Sequence, residues 1–342
     1  MIDFSLQIID WYRRTKRNLP WRDTNNPYFI WLSEIILQQT KVNQGMNYYF
    51  KFTKNYPTVI DLANADEQCV LNDWQGLGYY SRARNLHATA KIIQKQYNGV
   101  FPSRYDEILK LKGVGNYTAA AIASFAYNLP YAVVDGNVFR VLSRIFDIDT
   151  PIDSNEGQKA FTYLANELLD KNNPSEHNQA IMEFGAIQCT PSNPDCTSCI
   201  FNERCLALRN NTLSERPIKK GKIKIKNRYF HYLHFEDQDS IIIQKRTKKD
   251  IWQHLFEFPL IEKESEIDEE IMRNEILEKI GLKPTNLTKL PKHILSHQHI
   301  YATFWNFNSL PKEDFINAII IKKNELSSYP ISRMIDKYLE NV

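Results

Sequence analysis

The sequence predicts a mainly α-helical protein that carries a smaller α+β domain at its C-terminal end. From residue 1 to about 208, apolar residues recur at helical spacing, as in Leu6, Ile9 and Tyr12. Proline and glycine residues interrupt this pattern often enough to leave helices of ordinary length. After residue 228 the pattern changes, because runs rich in β-branched and aromatic residues indicate strands.

The C-terminal segment alternates predicted strands with predicted helices. The predicted elements are strands at 229–235, 240–246 and 300–307 and helices at 266–280 and 330–339. With 342 residues, the chain is long enough for two domains. We therefore predict a helical domain over 1–208 and an α+β domain over 229–342, joined by a linker at 209–228.

The charge of the chain is small overall but unevenly distributed. The formal net charge is +3, yet eight Lys or Arg residues and one acid, Glu215, lie between Arg209 and Arg228. We interpret this basic run as a solvated linker, and contact with nucleic-acid phosphates is the alternative.

The first seventeen residues, MIDFSLQIIDWYRRTKR, reach charged side chains too early for a secretory signal. No stretch approaches the roughly 18 consecutive apolar residues of a membrane span. We therefore expect a cytoplasmic protein that does not bind a membrane. We also expect it to be a monomer. In the cytoplasm disulfides are rare, and clustered cysteines more often hold metal.

Four cysteines form such a cluster, with the spacing C-x6-C-x2-C-x5-C. They are Cys189, Cys196, Cys199 and Cys205. Four thiolates suit either a tetrahedral zinc ion or an iron–sulfur cluster, and spacing alone does not separate the two. Cys69 stands apart on an apolar helical stripe, where we expect a buried small hydrophobe.

Two acidic residues have the surroundings expected of a catalytic pair. Glu34 lies among apolar residues such as Ile35 on a predicted helix that begins near Pro27, and burial there would raise its pKa and make it a general acid. Asp135 begins another helix in the sequence VVDGNVF, where an ionised carboxylate could face a developing cation. The alternatives are a Glu satisfied by its neighbours and an ordinary helix cap, and Asn137 could cap the same turn.

A Gly-Val-Gly turn separates two predicted helical segments within residues 109–127. Gly113 and Gly115 permit a tight turn whose backbone N–H groups, at the start of the helix that contains Thr118, could bind a phosphate. A plain helix–helix connection is the alternative.

Together these motifs resemble the superfamily of endonuclease III and the MutY-like adenine DNA glycosylases. The cysteine spacing, after the segment HNQAIMEFGAIQC, resembles the [4Fe-4S] loop of that superfamily at 189–205. The segment 109–127 resembles its helix-hairpin-helix, although Lys112 stands where the family usually has proline. WLSEIILQQTKV resembles the helix in which Glu34 is catalytic.

The resemblance implies a [4Fe-4S] cofactor and a double-stranded DNA partner that contains an adenine mispaired with 8-oxoguanine or guanine. It also implies that Asp135 is the second catalytic carboxylate and that Asn137 orients water or the aspartate. Tyr117 occupies the position at which bifunctional relatives have a Schiff-base lysine. We therefore expect a monofunctional glycosylase in which Tyr117 supports the transition state.

Further residues are implied at the DNA, where the flipped base leaves a gap. Gln38, Gln39 and Thr40 are predicted to continue the helix of Glu34. The family motifs place Arg22 near the adenine pocket, and they place at the DNA Gln39, Thr40, Leu77 and Tyr79. Trp21 fits either a core or a contact position.

The C-terminal domain resembles a Nudix fold that serves lesion recognition. KHILSHQHIY resembles the loop that senses 8-oxoguanine in the MutY family, with Ser296 and His297 retained and Leu295 in place of phenylalanine. A Nudix hydrolase would need a magnesium-binding helix, but Asn274 and Lys279 replace two residues of that motif. Nucleotide hydrolysis is therefore not expected.

Two other functions remain open from the sequence. One is a bifunctional glycosylase and lyase like endonuclease III, which Tyr117 and the C-terminal domain disfavour. The other is a protein that binds DNA damage without cutting it.

Overall fold

The structure is a computed structural model that describes residues 2–221, 224–311, 315 and 317–341. Lys222 and Ile223, which belong to the predicted linker, lie outside the described residues, as does Val342. Contacts between residues divide the chain into two units. The first comprises Met1–Asn64 and Asn85–Gly221, and the second comprises Ala65–Arg84 and Lys222–Val342.

Helices make up most of the first unit and also occur in the second unit. In chain order the helices are α1 (Ile2–Thr15), α2 (Pro27–Leu37), α3 (Val42–Asn55), α4 (Val59–Asn64), α5 (Glu67–Asp73), α6 (Ser81–Gln96), α7 (Tyr105–Leu109), α8 (Asn116–Tyr127), α9 (Gly136–Ile145), α10 (Asn155–Leu168), α11 (Pro174–Glu183), α12 (Leu206–Arg209), α13 (Glu269–Ile280) and α14 (Arg333–Leu339). Within the described part of the chain, none of them has both the length and the apolar character needed to cross a bilayer.

One hydrophobic cluster of the first unit lies among α1, α8, α9, α10 and α11. Ile8, Tyr12, Leu142 and Phe161 are among its buried side chains. Leu6, which shares the helical spacing, lies outside this cluster and is 59% exposed. Ile8 and Tyr12 lie one turn apart on the buried face, and Leu6 lies about 200° round the helix from Ile8.

The second unit contains two sheets. Its strands are β1 (Lys226–Phe235), β2 (Ser240–Lys245), β3 (Phe256–Glu257), β4 (Leu260–Lys263), β5 (Asn286–Lys289), β6 (His293–Ile294), β7 (Gln298–Phe307) and β8 (Ala318–Lys322). One sheet has the order β4-β1-β7-β5, with β6 also paired to β7, and the other has the order β3-β2-β8. β1 and β7 run parallel, so that Arg228 lies opposite Ile300, and the other pairs are antiparallel. The five elements predicted after residue 228 are all present.

Residues 65–84 group with the C-terminal residues, although they fall within the range predicted as the helical domain. The reason lies in side chains that bind distant backbone groups. Gln68 Nε2 donates to the carbonyl of Ser328 at 3.0 Å, Asn72 Nδ2 donates to that of Ser327 at 3.0 Å, and the Tyr80 hydroxyl donates to that of Ile331 at 3.2 Å. No local sequence pattern encodes such pairings.

Cys69 lies on α5 of this second unit. The helix buries Val70 and Leu71, and Cys69 is exposed on another face. The prediction that Cys69 is a buried hydrophobe is therefore wrong.

The basic run between Arg209 and Arg228 is only partly solvated. Arg216 Nε lies 2.9 Å from Asp147 Oδ1, and Arg228 binds Asp250 and Glu262 at 2.7 and 2.6 Å. Both arginine side chains are less than a tenth exposed. The interpretation as a solvated linker is wrong for these two residues, because folding pairs them with acids distant in sequence.

Candidate active site

A cavity of about 380 Å³ lies in the first unit, among α2, α8, α9 and α11. Its lining includes seven of the predicted catalytic and DNA-binding residues, namely Arg22, Glu34, Gln39, Thr40, Tyr117, Asp135 and Asn137. Glu34 and Asp135, which are far apart in the sequence, thus face one cavity. The roles predicted for these residues require that arrangement.

Glu34 is positioned by α2, which is apolar over most of its length and starts at Pro27 after the cap Asn26. The side chain is 8% exposed, and its Oε2 accepts a hydrogen bond from the Tyr117 hydroxyl at 2.6 Å. Burial raises the pKa of Glu34 to about 7, the Tyr117 hydroxyl opposes the shift, and the charge of Asp135 adds to it. The carboxyl is therefore substantially protonated near neutral pH.

Asp135 is the N-cap of α9, as its sequence position predicts. Its Oδ1 accepts from the Val138 N–H at 2.8 Å, and its Oδ2 accepts from Asn137 Nδ2 at 2.7 Å. Burial raises the pKa of Asp135 above its usual value, while these two donors act to lower it. The donors favour the charged form and fix the direction in which the carboxylate points.

Asn137 is held in turn by Arg140, whose Nη2 donates to its Oδ1 at 2.8 Å. Arg140 also donates to the carbonyls of Gly185 and Cys189, at 2.7 and 2.8 Å. The cysteine-rich segment is thereby connected through two side chains to Asp135.

The cavity also contains an ionic cluster that the sequence reasoning missed. Glu183, at the end of α11, is fully buried and accepts from Arg17 and Arg22 at 2.6 and 2.7 Å. Burial raises the pKa of Glu183, but the hydrogen bonds from both arginines outweigh it and lower the pKa to about 2. Trp21 also lines the cavity and packs edge-on against Tyr49, with the ring centroids 5.3 Å apart.

A signal for Glu183 was present in the segment AIMEFG. An acid flanked by apolar residues at helical spacing is the same pattern that singled out Glu34. Its arginine partners lie about 160 residues away in the sequence, so their contribution required the fold.

The raised pKa of Glu34 predicts how stability depends on pH. The pKa of Glu34 in the folded protein is above the usual 4.5. The contribution of Glu34 to the free energy of unfolding is therefore fully present below about pH 4.5 and is lost as the pH rises through about 7. Glu34→Gln removes this dependence, so we expect the variant to be more stable than the parent at pH 8 by about 3 kcal/mol. Urea unfolding at pH 5 and pH 8 measures the difference.

The matched control for stability is Glu167→Gln, an exposed position on α10. It should change the free energy of unfolding equally little at both pH values. An unchanged pH profile in Glu34→Gln would contradict the raised pKa.

The Gly-Val-Gly turn connects α7 to α8. Gly113 has a φ of +79°, and a Cβ there would come within 2.8 Å of Asn85 Cβ, so the turn requires glycine. Gly115 has an ordinary φ of −98° and caps α8, with open space where a Cβ would lie. The carbonyl of Lys112 accepts a hydrogen bond from Thr89 Oγ1 at 2.8 Å.

The segment that follows Leu37 does not continue helix α2. α2 ends at Leu37, and Gln39 adopts a left-handed φ of +55°. The prediction that the helix extends through Gln38 to Thr40 is therefore wrong. Gln39 is exposed, and Gln38 Nε2 donates to Thr118 Oγ1 at 3.3 Å.

The four clustered cysteines line one small cavity beside Arg144. All four are free thiols. The Phe201 N–H points to Cys199 Sγ at 3.4 Å, and Arg144 Nη1 lies 3.6 Å from Cys189 Sγ. Among the residues that the structure describes, no three His, Cys, Asp or Glu side chains have the geometry for a single metal ion. Four thiols that face one cavity, with N–H donors and a cation nearby, fit a four-thiolate centre.

The second unit has its own cavity of about 460 Å³, here called the second-unit cavity. Four predicted DNA-binding residues line it, namely Leu77, Tyr79, Ser296 and His297. The Tyr79 hydroxyl is hydrogen-bonded to Ser296 Oγ, and Tyr79 is 47% exposed. Leu77 is buried, so its side chain forms part of the wall.

Two family models match this chain. The HhH-GPD superfamily of base excision DNA repair proteins matches residues 32–166, and a NUDIX domain matches residues 231–341. The adenine DNA glycosylase of Buchnera aphidicola subsp. Baizongia pistaciae is 38% identical over 301 residues, which cover 87% of this chain and 84% of the relative. The chain belongs to the adenine DNA glycosylase family.

Family members from distant organisms match in the same way. The adenine DNA glycosylase of Arabidopsis thaliana is 35% identical over 79% of this chain and 49% of its own length. That of Homo sapiens is 38% identical over 64% of this chain and 42% of its own length.

Solved structures agree on the fold of the helical part. A thermostable thymine-DNA glycosylase superposes with a TM-score of 0.57 at 31% identity, covering 61% of this chain and 96% of that structure. A trapped endonuclease III–DNA covalent intermediate superposes with a TM-score of 0.54 at 22% identity, covering 61% of this chain and 95% of that structure. The predicted fold class, a helix-hairpin-helix glycosylase domain with a smaller Nudix-like α+β domain, is confirmed.

In the Nudix-like part of this adenine DNA glycosylase family member, a carboxylate of the predicted magnesium motif is engaged in an ion pair. Glu275, one of the two remaining acids of the motif on α13, binds Lys263 Nζ through both oxygens at 2.7 and 2.8 Å. A lysine in that position occupies the carboxylate that a magnesium ion would need.

Proposed function

We propose that this chain is a monofunctional glycosylase that excises adenine mispaired with 8-oxoguanine or guanine in double-stranded DNA. The observation that carries the proposal is the cavity shared by Glu34 and Asp135, with the Tyr117 hydroxyl bound to Glu34. One acid with a pKa of about 7 and one carboxylate fixed by N–H donors have the complementary properties that cleavage of an N-glycosidic bond needs.

The proposed cycle begins when the adenine nucleotide leaves the helix and enters the cavity. Glu34 donates its proton to the base, which makes the base a better leaving group. As the bond to the sugar breaks, the negative charge of Asp135 stabilises the positive charge on the sugar. Water then forms a bond to the sugar carbon and loses a proton, which returns the Glu34 carboxylate to its protonated form, and an abasic site remains. Tyr117 holds the Glu34 carboxyl in place during the proton transfer.

Strand cleavage needs an amine that attacks the sugar. Tyr117 occupies the position of that amine, and the lining of the cavity contains arginines but no lysine among the described residues. These features support a glycosylase without lyase activity.

We propose that residues outside the catalytic pair bind the DNA and the opposite base. Gly113 and Gly115 are proposed to bind phosphate through backbone N–H groups. Gln39, Thr40, Leu77 and Tyr79 are proposed to contact the DNA, and Ser296 and His297 are proposed to contact the 8-oxoguanine. Arg22, which lines the cavity, is proposed to help shape the adenine pocket.

The cysteine site is proposed to hold a [4Fe-4S] cluster, as is typical of the endonuclease III and MutY superfamily. Such a cluster can transfer electrons, but protonation of the base and hydrolysis of the N-glycosidic bond need none. Because the four cysteines are proposed to hold iron and sulfide, we expect the protein purified without oxygen to contain iron and acid-labile sulfide and no stoichiometric zinc. Elemental analysis checks this, and Cys199→Ala should lose most of the iron while Cys69→Ala, the exposed control, should retain it.

A panel of duplexes tests the function. We expect adenine release from A:8-oxoguanine and A:G, no thymine release from a T:G duplex, and no protein–DNA adduct after borohydride treatment. Thymine release would favour the activity named for the thymine-DNA glycosylase that shares the fold, and a trapped adduct would show a lyase. Tight binding without release of any base would show a damage-binding protein and contradict the proposal.

A further inference from the structure

The second-unit cavity has walls from three stretches of chain. One wall is the turn Asp250–Trp252, and another is the segment Ser296–Gln298, which leads into β7. The third is the segment from Leu77 to Arg84. None of these stretches is fixed by regular pairing over its whole length, so the shape of the cavity depends on side-chain contacts.

The backbone of two walls is strained. Trp252 and His254 have φ values of +56° and +69°, and Tyr79 on the third wall has a φ of +47°. Bulky side chains are unfavourable in this left-handed region, and they persist there only where the surroundings hold them. Something in the second unit must therefore secure the turn at 250–254.

Arg228, on β1, contacts both the turn and the segment that leads into β7. Its Nη1 and Nη2 donate to the two oxygens of Asp250 at 2.9 and 2.7 Å. Its Nη1 also donates to Gln298 Oε1 at 2.9 Å, its Nε and Nη2 donate to Glu262, and its guanidinium lies 4.9 Å from the centroid of the Phe230 ring. The side chain is buried, and its planar fork suits this bidentate geometry.

Arg246, on the turn side, reinforces the same contact. It donates to Asp250 Oδ2 at 2.9 Å and to the Ile251 carbonyl at 3.1 Å. It is itself held by the buried carboxylate of Glu257 at 2.7 Å. The turn is also held by Arg84 Nη1, which donates to the Gln253 carbonyl at 2.7 Å, and by Glu67 Oε2, which lies 2.8 Å from His254 Nδ1. Among these side-chain contacts, only those of Arg228 reach Gln298.

We propose that Arg228 is a positioning residue that joins Asp250 to Gln298 and so fixes the shape of the second-unit cavity for the base opposite the excised adenine. The proposal rests on the proposed function for the identity of that base. Buried ion pairs add little net stability compared with apolar packing, so a network of this kind is better suited to fixing a geometry. Arg228 need not touch the DNA to have this effect.

The test uses Gln298→Met in the full chain. This variant removes the hydrogen bond between Arg228 and Gln298 and keeps the ion pairs of Arg228 with Asp250 and Glu262. Binding is measured to duplexes that carry 8-oxoguanine or guanine opposite an abasic-site analogue. We expect the ratio of the two dissociation constants to fall roughly tenfold, the loss expected for one hydrogen bond to a charged group. Gln298→Glu, which keeps the acceptor, should retain the ratio, and Gln238→Met, an exposed matched control, should not change it.

Hydrogen exchange of the unbound protein provides a readout that does not depend on DNA. In Gln298→Met, the amides of the turn at 250–254 should exchange faster than in the parent. A smaller binding ratio without faster exchange would mean that Gln298 contacts the base directly, and unchanged exchange with an unchanged ratio would also overturn the proposal. If the parent protein does not distinguish the two duplexes but exchange at the turn still rises, the lesion-reading part of the proposed function fails while the positioning role of Arg228 stands.

Discussion

The Glu34→Gln variant is expected to lose adenine release by roughly three orders of magnitude, which is within the usual contribution of a general acid. Glutamine has almost the same shape as glutamic acid and can still accept the Tyr117 hydrogen bond, but it has no proton of suitable acidity. The cavity is otherwise intact, so binding to the mispaired duplex should change little. Single-turnover release of adenine and the dissociation constant of the duplex measure the two quantities separately.

In the parent protein, the same assignment predicts that the rate falls as the pH rises above about 7, because only the protonated carboxyl can donate. Glu167→Gln on the surface of α10 is the control and should keep the parent rate. Full activity in Glu34→Gln would end the assignment of Glu34 as the acid. Loss of duplex binding together with activity would show that the substitution disturbs the cavity.

The Asp135→Asn variant is expected to lose activity by about three orders of magnitude with only a small loss of stability, which comes from the hydrogen bond that Asp135 Oδ2 accepts from Asn137 Nδ2. Asparagine caps a helix as well as aspartate, so the bond from the Val138 N–H can be kept. The negative charge that opposes the cationic sugar is removed. Single-turnover kinetics and thermal unfolding of the same preparation compare the two effects.

Asp268→Asn is the matched control, because Asp268 is the N-cap of α13 and lies outside the catalytic cavity. Both variants should unfold close to the parent temperature, and only Asp135→Asn should be slow. If Asp135→Asn releases adenine at the parent rate, Asp135 is a structural cap and the proposed pair of carboxylates is wrong. If it unfolds much earlier than Asp268→Asn, the cap geometry is not retained and Asp135→Glu becomes the variant to measure.

Local patterns in the sequence predicted most of the secondary structure. The strands β1, β2 and β7 and the helices α13 and α14 follow from runs of β-branched residues and from apolar spacing, which are properties of neighbouring residues. Individual exposures were less predictable. Leu6 and Cys69 are apolar residues at helical spacing, yet both are exposed, because the neighbours that cover a helix come from elsewhere in the chain.

In the candidate site, too, some features could be predicted from neighbouring residues and others could not. Glu34, Asp135 and Gly113 could be singled out because their immediate neighbours already limit their chemistry. Glu183 was missed, although an acid among apolar residues is a visible signal. The pairing of Glu183 with Arg17 and Arg22 was not visible, because these residues come from opposite ends of the helical unit.

Sequence patterns are sufficient for the helical and α+β segments, the N-cap at Asp135, the left-handed glycine turn and the four-cysteine spacing, since each depends on residues that are close along the chain. Only tertiary packing brings Glu34 and Asp135 to one cavity, raises the pKa of the glutamate and pairs Arg228 with Asp250. Desolvation and ion pairing depend on groups that approach one another in space, and sequence spacing does not contain that distance.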